Sequence, residues 1–329
     1  MKCPICLNSE KFKSVKKHID ENYDYAMIRC LVCDSYFADP LKEVGFDWYE
    51  NRYEERNYPW RWEFGVLIGY LKKIASDKKN GDFSLIDVGC GNGRLLKKIR
   101  FLYKQSYLVG LDFNRWAIAD LKNCQILSYA KKLEEFVDSG DRKFDFIVFF
   151  HLFEHIDNPN EFLDRIRLFL KPGGQIIFSV PNLDRWNLQF WGFEEKDSPP
   201  HHLLRFSKAG LSELLNRHGF KINIANNEPL RFTDVWSMLY WQLLDSWRFG
   251  VIKKINSDLR KKNDARGTDL NIRPARSLRH IISQNLVLFK KIIIGFISLP
   301  YSLAFYLLNR RRIKGRPGHT LMIFAAKTE

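Results

Sequence analysis

The sequence lacks an apolar run at its amino terminus, where the first residues read MKCPICLNSEKFKS. A secretory signal needs an apolar segment of about 7–15 residues there, so none is expected and the predicted compartment is the cytoplasm. Internal repeats and low-complexity tracts are absent as well. With 329 residues, of which 45% are hydrophobic and 28% charged, the chain has the composition of one large or two modest globular domains.

Acidic residues are scarce in one part of the chain. Between Trp241 and His319 there are seventeen Lys and Arg residues against four Asp, a balance of +13 within a net charge of +15. This part includes KKIIIGFISLPYSLAFYLLNRRR at residues 290–312, whose uncharged run is at the lower length limit for a spanning helix. Apolar runs between basic clusters suit an anionic membrane surface. A buried helical layer or a dimer interface is the alternative, and the oligomeric state stays open.

Cysteine is sparse, but four of the six cysteines form two pairs. Cys3-Pro-Ile-Cys6 and Cys30-Leu-Val-Cys33 have 23 residues between them. Two such pairs supply the four thiolates of a tetrahedral zinc site, and four protein ligands leave no open position for chemistry. The missing export signal argues against disulfides. We therefore predict a zinc ribbon over residues 1–40, with a structural zinc ion, lying outside the main sheet.

Strand and helix patterns alternate from residue 81 onward. The stretches SLIDV, YLVGL, CQILSYA, FDFIVFF and GQIIFSVPN are typical of strands, and Asn158 and Ser207 are candidate N-caps of helices. This alternation predicts an α/β fold with a mostly parallel sheet and helices on both faces. A ligand of such a sheet lies beyond the carboxyl ends of its strands.

The glycine loop DVGCGNG lacks the last glycine of the dinucleotide fingerprint, because Arg94 occupies that position. Asp87 disfavours a phosphate at this loop and favours a cationic group. Asp112 ends the next strand, 21 residues beyond Gly91, where a carboxylate accepts hydrogen bonds from both ribose hydroxyls. An adenosine with a cationic amino-acid tail satisfies these observations. S-adenosylmethionine (SAM) is such a ligand.

The chain resembles class I SAM-dependent methyltransferases with an N-terminal zinc ribbon, of the bacterial polysaccharide and small-molecule pathway type. The resemblance rests on LIDVGCGNGRLL, VGLDFN, FDFIVFFHLFEHIDNP, LKPGGQIIFSVPN and HHLLRFSKAGLSELLNRHGF, in that order. It implies a Rossmann-like, seven-stranded sheet whose sixth strand is KINIANN and whose antiparallel seventh is HTLMIFAAK. The implied cofactor-binding residues are Asp87, Gly89, Gly91, Gly93, Asp112, Tyr129, Ala130 and Phe150.

This fold implies a division of the chain. After the ribbon come an aromatic-rich connector and helix at residues 41–80, a SAM-binding core at 81–229, a basic and apolar insertion at 230–317, and the last core strand at 318–329. Because that strand must return to the sheet, a single membrane span over residues 292–308 is not expected. The stretch is expected to lie in the interface, to form a re-entrant hairpin, or to be buried.

The candidate catalytic residues are histidines and one glutamate. A hydroxyl acceptor needs a general base within hydrogen-bond reach. The candidates after the fourth strand and in the SPPHHLLRFS loop are His151, Glu154, His155, His201 and His202. A purely structural role, in which these side chains satisfy loop backbone groups, is the alternative.

Two absent motifs narrow the range of candidate methyl acceptors. The chain has HLFEH where methyltransferases that act on base amino groups carry [DN]-P-P-[YF], and it has no Pro-Cys nucleophile. We predict transfer to an oxygen or carbon of a sugar, lipid-linked or other small-molecule acceptor, by a protein peripherally associated with the inner membrane face. An RNA methyltransferase and a non-catalytic SAM-binding scaffold are the alternatives, although nucleic acid is the less favoured partner.

Overall fold

The computed structural model describes residues 1–20, 23–45, 60–77, 82–136, 142–188, 197–240, 298–309 and 316–328. The chain divides into two compact units, one of residues 1–228 with 319–329 and one of residues 229–318.

The strands are β1 (Phe12–Asp20), β2 (Tyr23–Cys30), β3 (Tyr36–Asp39), β4 (Ser84–Val88), β5 (Tyr107–Leu111), β6 (Leu127–Tyr129), β7 (Phe144–Phe150), β8 (Leu170–Pro181), β9 (Leu204–Arg205), β10 (Phe220–Pro229) and β11 (Pro317–Lys327). The helices are α1 (Trp62–Asp77), α2 (Arg94–Leu102), α3 (Arg115–Ile118), α4 (Pro159–Phe169), α5 (Lys208–Arg217), α6 (232–240) and α7 (298–309).

The larger sheet has the strand order β10–β11–β8–β7–β4–β5–β6. The five strands β4 to β8 run parallel to one another. Strand β11 runs antiparallel to β8, with Thr320 opposite Pro181 and Ala326 opposite Gln175. The predicted Rossmann-like, seven-stranded sheet with an antiparallel last strand is therefore confirmed.

Local signals set the helix ends next to the site. The Asn158 side chain accepts a hydrogen bond from the backbone N–H of Glu161, and Pro159 occupies the first turn of α4. Ser207 caps α5 by accepting from Gly210 N, and Gly219 follows that helix with a φ of +73°. The predicted caps and the glycine that ends α5 are confirmed.

Both faces of the sheet are buried, as parallel strands require. One face packs against α1 and α2 through Leu85, Leu108 and Val148. The other face belongs to an apolar cluster that continues from Ile86 and Ile147 through α4 and α5 into the amino-terminal segment. That cluster includes Cys3, Ile5 and Phe37.

The amino-terminal segment forms a second sheet, ordered β1–β2–β3–β9. In its last pairing Phe37 lies opposite Leu204, so the short strand β9, which lies between β8 and β10 in the chain, completes the ribbon. Arg217 Nη2 also donates to Ile5 O at 2.7 Å. The ribbon lies outside the main sheet, as expected, but it shares an apolar core with it.

Helices α6 and α7 lie in the second unit. Trp236 Nε1 of α6 donates to Ser298 Oγ of α7 at 3.0 Å, and Ser302 Oγ donates to Ser298 O at 2.5 Å. Both serines are fully buried, whereas Leu303, Leu307 and Leu308 of the same helix are exposed. Among the described residues, no helix is both long and apolar enough to span a membrane. Residues 292–297 of the apolar stretch lie outside the described residues.

Candidate active site

The glycine loop after β4 is held against the end of β5. Gly89, Gly91 and Gly93 have φ values of +74°, +53° and +66°, a region that side-chain-bearing residues rarely adopt. Asp112 Oδ2 accepts from Gly91 N at 2.8 Å. A Cβ added at Gly93 would lie 2.1 Å from Leu121 Cδ2, so that position also requires glycine for space.

A cavity of about 330 Å³ opens beside this loop at the carboxyl ends of the strands. Gly89 and Asp112 form one wall, residues 131–135 form the wall after β6, and Leu152 and His155 form the wall after β7. Its size lies within the range of small-molecule pockets, about 300–1,000 Å³. This is the location that the sequence predicts for the cofactor.

Of the eight predicted cofactor residues, Gly89 and Asp112 line this cavity, whereas Asp87, Gly91, Gly93, Tyr129, Ala130 and Phe150 do not. Tyr129 and Ala130 directly precede the wall segment, and the Tyr129 ring packs against Phe136 at 5.4 Å. Phe150 is buried at the end of β7, and its ring lies 5.8 Å from that of Phe64. Their roles toward a cofactor stay predictions.

Asp87, which is buried, and Asp112, which is partly buried, give the loop a preference for a cation. Burial, followed by the charge of Asp112, raises the pKa of Asp87 well above its ordinary value. Burial also raises the pKa of Asp112, although backbone donors from Asn114 and Gly91 partly offset it. A ligand that brings positive charge to this loop would stabilise both ionised carboxylates. The residues therefore fit SAM, which carries a sulfonium and an ammonium.

His151 lies between two carboxylates at the end of β7. Its Nε2 is 2.9 Å from Glu63 Oε1 and its Nδ1 is 3.2 Å from Glu154 Oε1. Burial alone would lower the pKa of His151, but hydrogen bonds to Glu154 and Glu63 outweigh it and raise the pKa to about 9. At neutral pH His151 is thus an imidazolium that donates to both carboxylates.

His155 has a different environment four residues later. Its Nδ1 lies 2.5 Å from the His201 carbonyl oxygen, which can only accept, so Nδ1 carries the proton and Nε2 carries the lone pair. Burial lowers the pKa of His155 and outweighs the opposing effect of Glu154. His155 is therefore a neutral imidazole at the cavity wall.

The loop at residues 197–203 brings two further histidines to His155. The ring centroids of His201 and His202 lie 4.8 and 4.9 Å from that of His155 and 4.6 Å from each other. Burial, and then the neighbouring histidines, lower the pKa of His202 well below its ordinary value. We call His155, His201 and His202 the histidine cluster.

Buried charges anchor this loop. Arg185 Nη2 pairs with Asp197 Oδ2, and both side chains are buried. Arg205 Nε donates to Asp197 O at 2.8 Å, and burial lowers the pKa of this guanidinium to about 10. Backbone bonds continue the support, since Ala38 N donates to Leu203 O at 2.8 Å and Leu203 N donates to Glu154 O at 2.9 Å. The ribbon thus braces the loop that carries the histidines.

Sequence reasoning missed Glu63, Arg185 and Asp197. Glu63 lies in an aromatic-rich helix 88 residues before its partner His151. A charged residue on an otherwise apolar helical face was the available signal, because such a residue is buried only with a partner. Arg185 and Asp197 carry no comparable pattern.

The four paired cysteines converge in the ribbon. Cys3 Sγ lies 3.8 Å from Cys33 Sγ, and Cys6 Sγ lies 3.5 Å from Cys30 Sγ. All four sulfurs are within 4.8 Å of one another. A zinc tetrahedron with bonds of about 2.3 Å has sulfur–sulfur edges of about 3.8 Å, so the arrangement fits zinc. We call these residues the cysteine cluster.

Comparison with known proteins identifies the family. A model described as a methyltransferase domain matches residues 60–224, half of the 329-residue chain. The protein belongs to this methyltransferase family, as a class I SAM-dependent enzyme. The predicted enzyme class is confirmed.

Curated relatives of this methyltransferase include two ubiquinone biosynthesis O-methyltransferases. The mitochondrial one from Dictyostelium discoideum is 31% identical over 114 residues, which are 30% of this chain and 35% of that protein. The one from Vibrio atlanticus is 24% identical over 200 residues, 57% of this chain and 80% of that protein. The chain thus spans about a third of the first relative.

A solved structure of coclaurine N-methyltransferase, bound to N-methylheliamine and SAH, is also similar. It shares 12% sequence identity, covers 84% of this chain and 76% of its own, and has a TM-score of 0.46.

Proposed function

We propose that this methyltransferase transfers the methyl group of SAM to a hydroxyl oxygen of a small molecule, a sugar or a lipid-linked sugar, at an anionic membrane surface. The observation that carries the proposal is the neutral, tautomer-defined His155 on the wall of the cofactor cavity. The two curated relatives are named for O-methylation, which supports the same choice of atom.

Cofactor binding falls to the loop and the two aspartates. Asp112 would accept from ribose hydroxyls, and the loop glycines would let the backbone approach the amino-acid part of SAM. Asp87 would supply negative charge near that part. SAM provides a methyl group already activated by its sulfonium, so the remaining tasks are alignment of the acceptor and removal of its proton.

The histidine cluster is suited to removal of the acceptor proton. At neutral pH His151 is protonated and has no lone pair with which to accept a proton. His155 is neutral, and the His201 carbonyl fixes its lone pair on Nε2. The geometry therefore favours His155 over His151 and Glu154 as the group that takes the hydroxyl proton.

The cysteine cluster is proposed to hold one structural zinc ion. Cys3, Cys6, Cys30 and Cys33 would be its four ligands, with none left for substrate. A hydrogen bond with Cys3 lowers the pKa of Cys33 to about 5, while burial raises the pKa of Cys6 to about 11. Zinc would remove this disparity, because every coordinated sulfur is a thiolate.

Helix α7 supports the membrane proposal. It buries its serines and exposes its leucines, the reverse of a helix that packs against a protein core. The surrounding chain carries the balance of +13 between Trp241 and His319, which complements anionic lipid. We propose that the exposed leucines of α7 enter the interface of an anionic bilayer.

The acceptor is tested with isotopically labelled SAM incubated with lipid and polysaccharide fractions, followed by identification of the methylated atom. We expect label on oxygen. The His155→Asn variant keeps a donor for the His201 carbonyl but lacks Nε2, so its rate should fall about 10²–10⁴-fold with SAM affinity retained. His218→Asn, outside the cavity, is the matched control. Label on nitrogen or carbon would overturn the proposed acceptor.

Membrane binding is tested by flotation with anionic and neutral vesicles. Binding should require anionic lipid, weaken with salt, and fall in Leu307→Glu. Leu168→Glu is the matched control, because Leu307 is 53% exposed and Leu168, on the core unit, is 59% exposed. Equal binding of both variants would count against α7 as the contact, and no binding of the unmodified protein to anionic vesicles would overturn the membrane proposal.

A further inference from the structure

The histidine cluster contains more ligating groups than proton removal requires. One neutral imidazole is enough for a general base, yet three imidazoles meet here, and His155 among them lines the cofactor cavity. Their nearest ring nitrogens all lie within 4.8 Å of one another. The His155 ring faces those of both His201 and His202 at steep angles, 61° and 75°. Nitrogens this close can bind one ion after the rings of His201 and His202, which stack at 20° to each other, turn toward it.

The surroundings of the cluster match those of metal-binding histidines. Such histidines usually donate their second ring N–H to a carbonyl or a carboxylate, which orients the ring. His155 Nδ1 donates to the His201 carbonyl, which leaves Nε2 as its ligand atom. His202 Nδ1 is buried without a hydrogen-bond partner, and Asp197 Oδ1 lies 3.8 Å away. A small movement of that ring would complete a carboxylate–histidine pair.

Charge around the cluster is also compatible with a cation. Glu154 is fully buried and adjacent to His155, and its Oε2 has no hydrogen-bond partner. Asp197 is the second buried carboxylate beside the cluster. The imidazolium of His151 pairs with Glu154, and the guanidinium of Arg185 pairs with Asp197, so each carboxylate is partly neutralised.

We propose that His155, His201 and His202 bind a divalent transition-metal ion whose remaining coordination positions open toward the cofactor cavity and receive an oxygen of the methyl acceptor. Imidazole ligands suit zinc and its neighbours in the first transition row, and a site with three protein ligands keeps a position for substrate. The ion is distinct from the zinc of the cysteine cluster, whose four ligands are sulfurs.

This inference rests on the proposed O-methylation and refines it. When the site is filled, Nε2 of His155 binds the ion and no longer accepts a proton. The ion would lower the pKa of the coordinated hydroxyl, whose proton would leave to solvent water. The acceptor would then be an oxygen compound able to reach the ion, and vicinal hydroxyls of a sugar or a catechol are suited to occupy two positions at once.

The test is metal binding by the full-length protein, with zinc and cobalt(II) as probes. We expect two ions per chain: one in a sulfur environment with thiolate-to-cobalt charge transfer, and one with d–d absorption but no such charge transfer. His202→Ala should lose the second ion and retain the first. His202→Asn, which preserves polarity, should do the same if the alanine variant folds poorly. His218→Ala should keep both ions.

The outcomes separate this inference from the proposed function. A protein that binds only one ion, or whose second ion persists in both His202 variants, overturns the metal site. If such a protein still methylates a hydroxyl, the proposed function stands with His155 as the base. If the second ion binds to the histidines but label never appears on oxygen, the metal site stands and the proposed acceptor falls.

Discussion

The cysteine cluster and the histidine cluster gather their side chains in opposite ways. In the cysteine cluster each pair comes from one tight turn, and only one longer connection, between Cys6 and Cys30, must be closed. In the histidine cluster His155 follows β7, whereas His201 and His202 come from a loop 46 residues further along. The spacing of residues in the sequence therefore predicts the cysteine cluster. The histidine cluster forms only when the fold brings the two segments together.

The supports of the two clusters differ accordingly. The cysteine cluster is held mainly by its own short turns, such as the bond from Leu7 N to Cys3 O at 3.0 Å, with one added bond from Ser207 Oγ to Cys33 O. The histidine cluster depends on remote residues: the Arg185–Asp197 pair and the backbone bonds that link Ala38, Leu203 and Glu154. Damage to the ribbon should therefore reach the histidines, whereas damage to the histidine loop should leave the cysteines intact.

The largest effect is expected for the double substitution Cys3→Ser with Cys30→Ser. Structural zinc contributes an apparent binding free energy of about 10–16 kcal/mol, so its loss should unfold the ribbon. Because β3 and β9 pair and the apolar cluster is shared, SAM affinity should fall as well. Metal analysis and calorimetry check both effects.

Cys124→Ser is the control for the cysteine pair, since Cys124 lies outside the cluster. A double variant that binds SAM normally would show that the ribbon and the sheet are independent. That result would mean that the ribbon, which lies outside the main sheet, can be lost while SAM binding largely survives.

A smaller effect, which should reach the histidine cluster but not the cysteine cluster, is expected for Arg185→Ala. Removal of one partner from a buried ion pair costs about 3–5 kcal/mol, because Asp197 is left as an uncompensated charge. Methyl transfer should fall while the cysteine cluster keeps its zinc. Asp197→Asn in the same chain should restore part of the stability. Denaturant unfolding and metal analysis measure both.

Arg29→Ala is the matched control for Arg185→Ala. Arg29 pairs with Asp34 on the ribbon surface, where such pairs contribute about 0–1 kcal/mol. If the two variants lose equal stability, or if Arg185→Ala also releases the zinc of the cysteine cluster, the asymmetry between the two regions is wrong.

The smallest expected effect is on the pH dependence of stability, which should differ between the two regions. The pKa of His151 rises from 6.5 to about 9 on folding, so its contribution to stability is complete below the lower value and is lost as pH rises through the higher one. Zinc at the cysteine cluster has the opposite dependence, because acid protonates the thiolates. Melting temperatures across this range should decline more steeply for the unmodified protein than for His151→Asn.

Asparagine is the suitable replacement because His151 has a φ of +50°, which asparagine tolerates better than most residues. If the melting temperatures of the two proteins decline equally at alkaline pH, His151 does not cause the pH dependence of stability. Zinc release measured at acidic pH should be the same in both.

Much of the fold and part of the site were predictable from local pattern. The glycine loop, the carboxylate at the end of β5 and the antiparallel last strand were identified correctly because each depends on a short motif or on strand periodicity. The cavity wall after β6 is formed by residues 131–135, which directly follow the predicted Tyr129 and Ala130, and the roles of those two residues stay predictions. Strand ends are poorly defined by periodicity when a strand, like β6, has only three residues.

By itself the sequence determined the order of strands and helices, the zinc-type spacing of the cysteines and the glycine loop beside Asp112. These features arise from neighbouring residues, whose backbone geometry and side-chain chemistry act over a few positions. Only the tertiary structure decided that Glu63 and Glu154 hold His151 as a cation, that burial keeps His155 neutral, and that the His201 carbonyl fixes the lone pair of His155 on Nε2. The protonation state of a buried side chain is set by whichever charges and dipoles packing places beside it, and those partners come from distant parts of the chain.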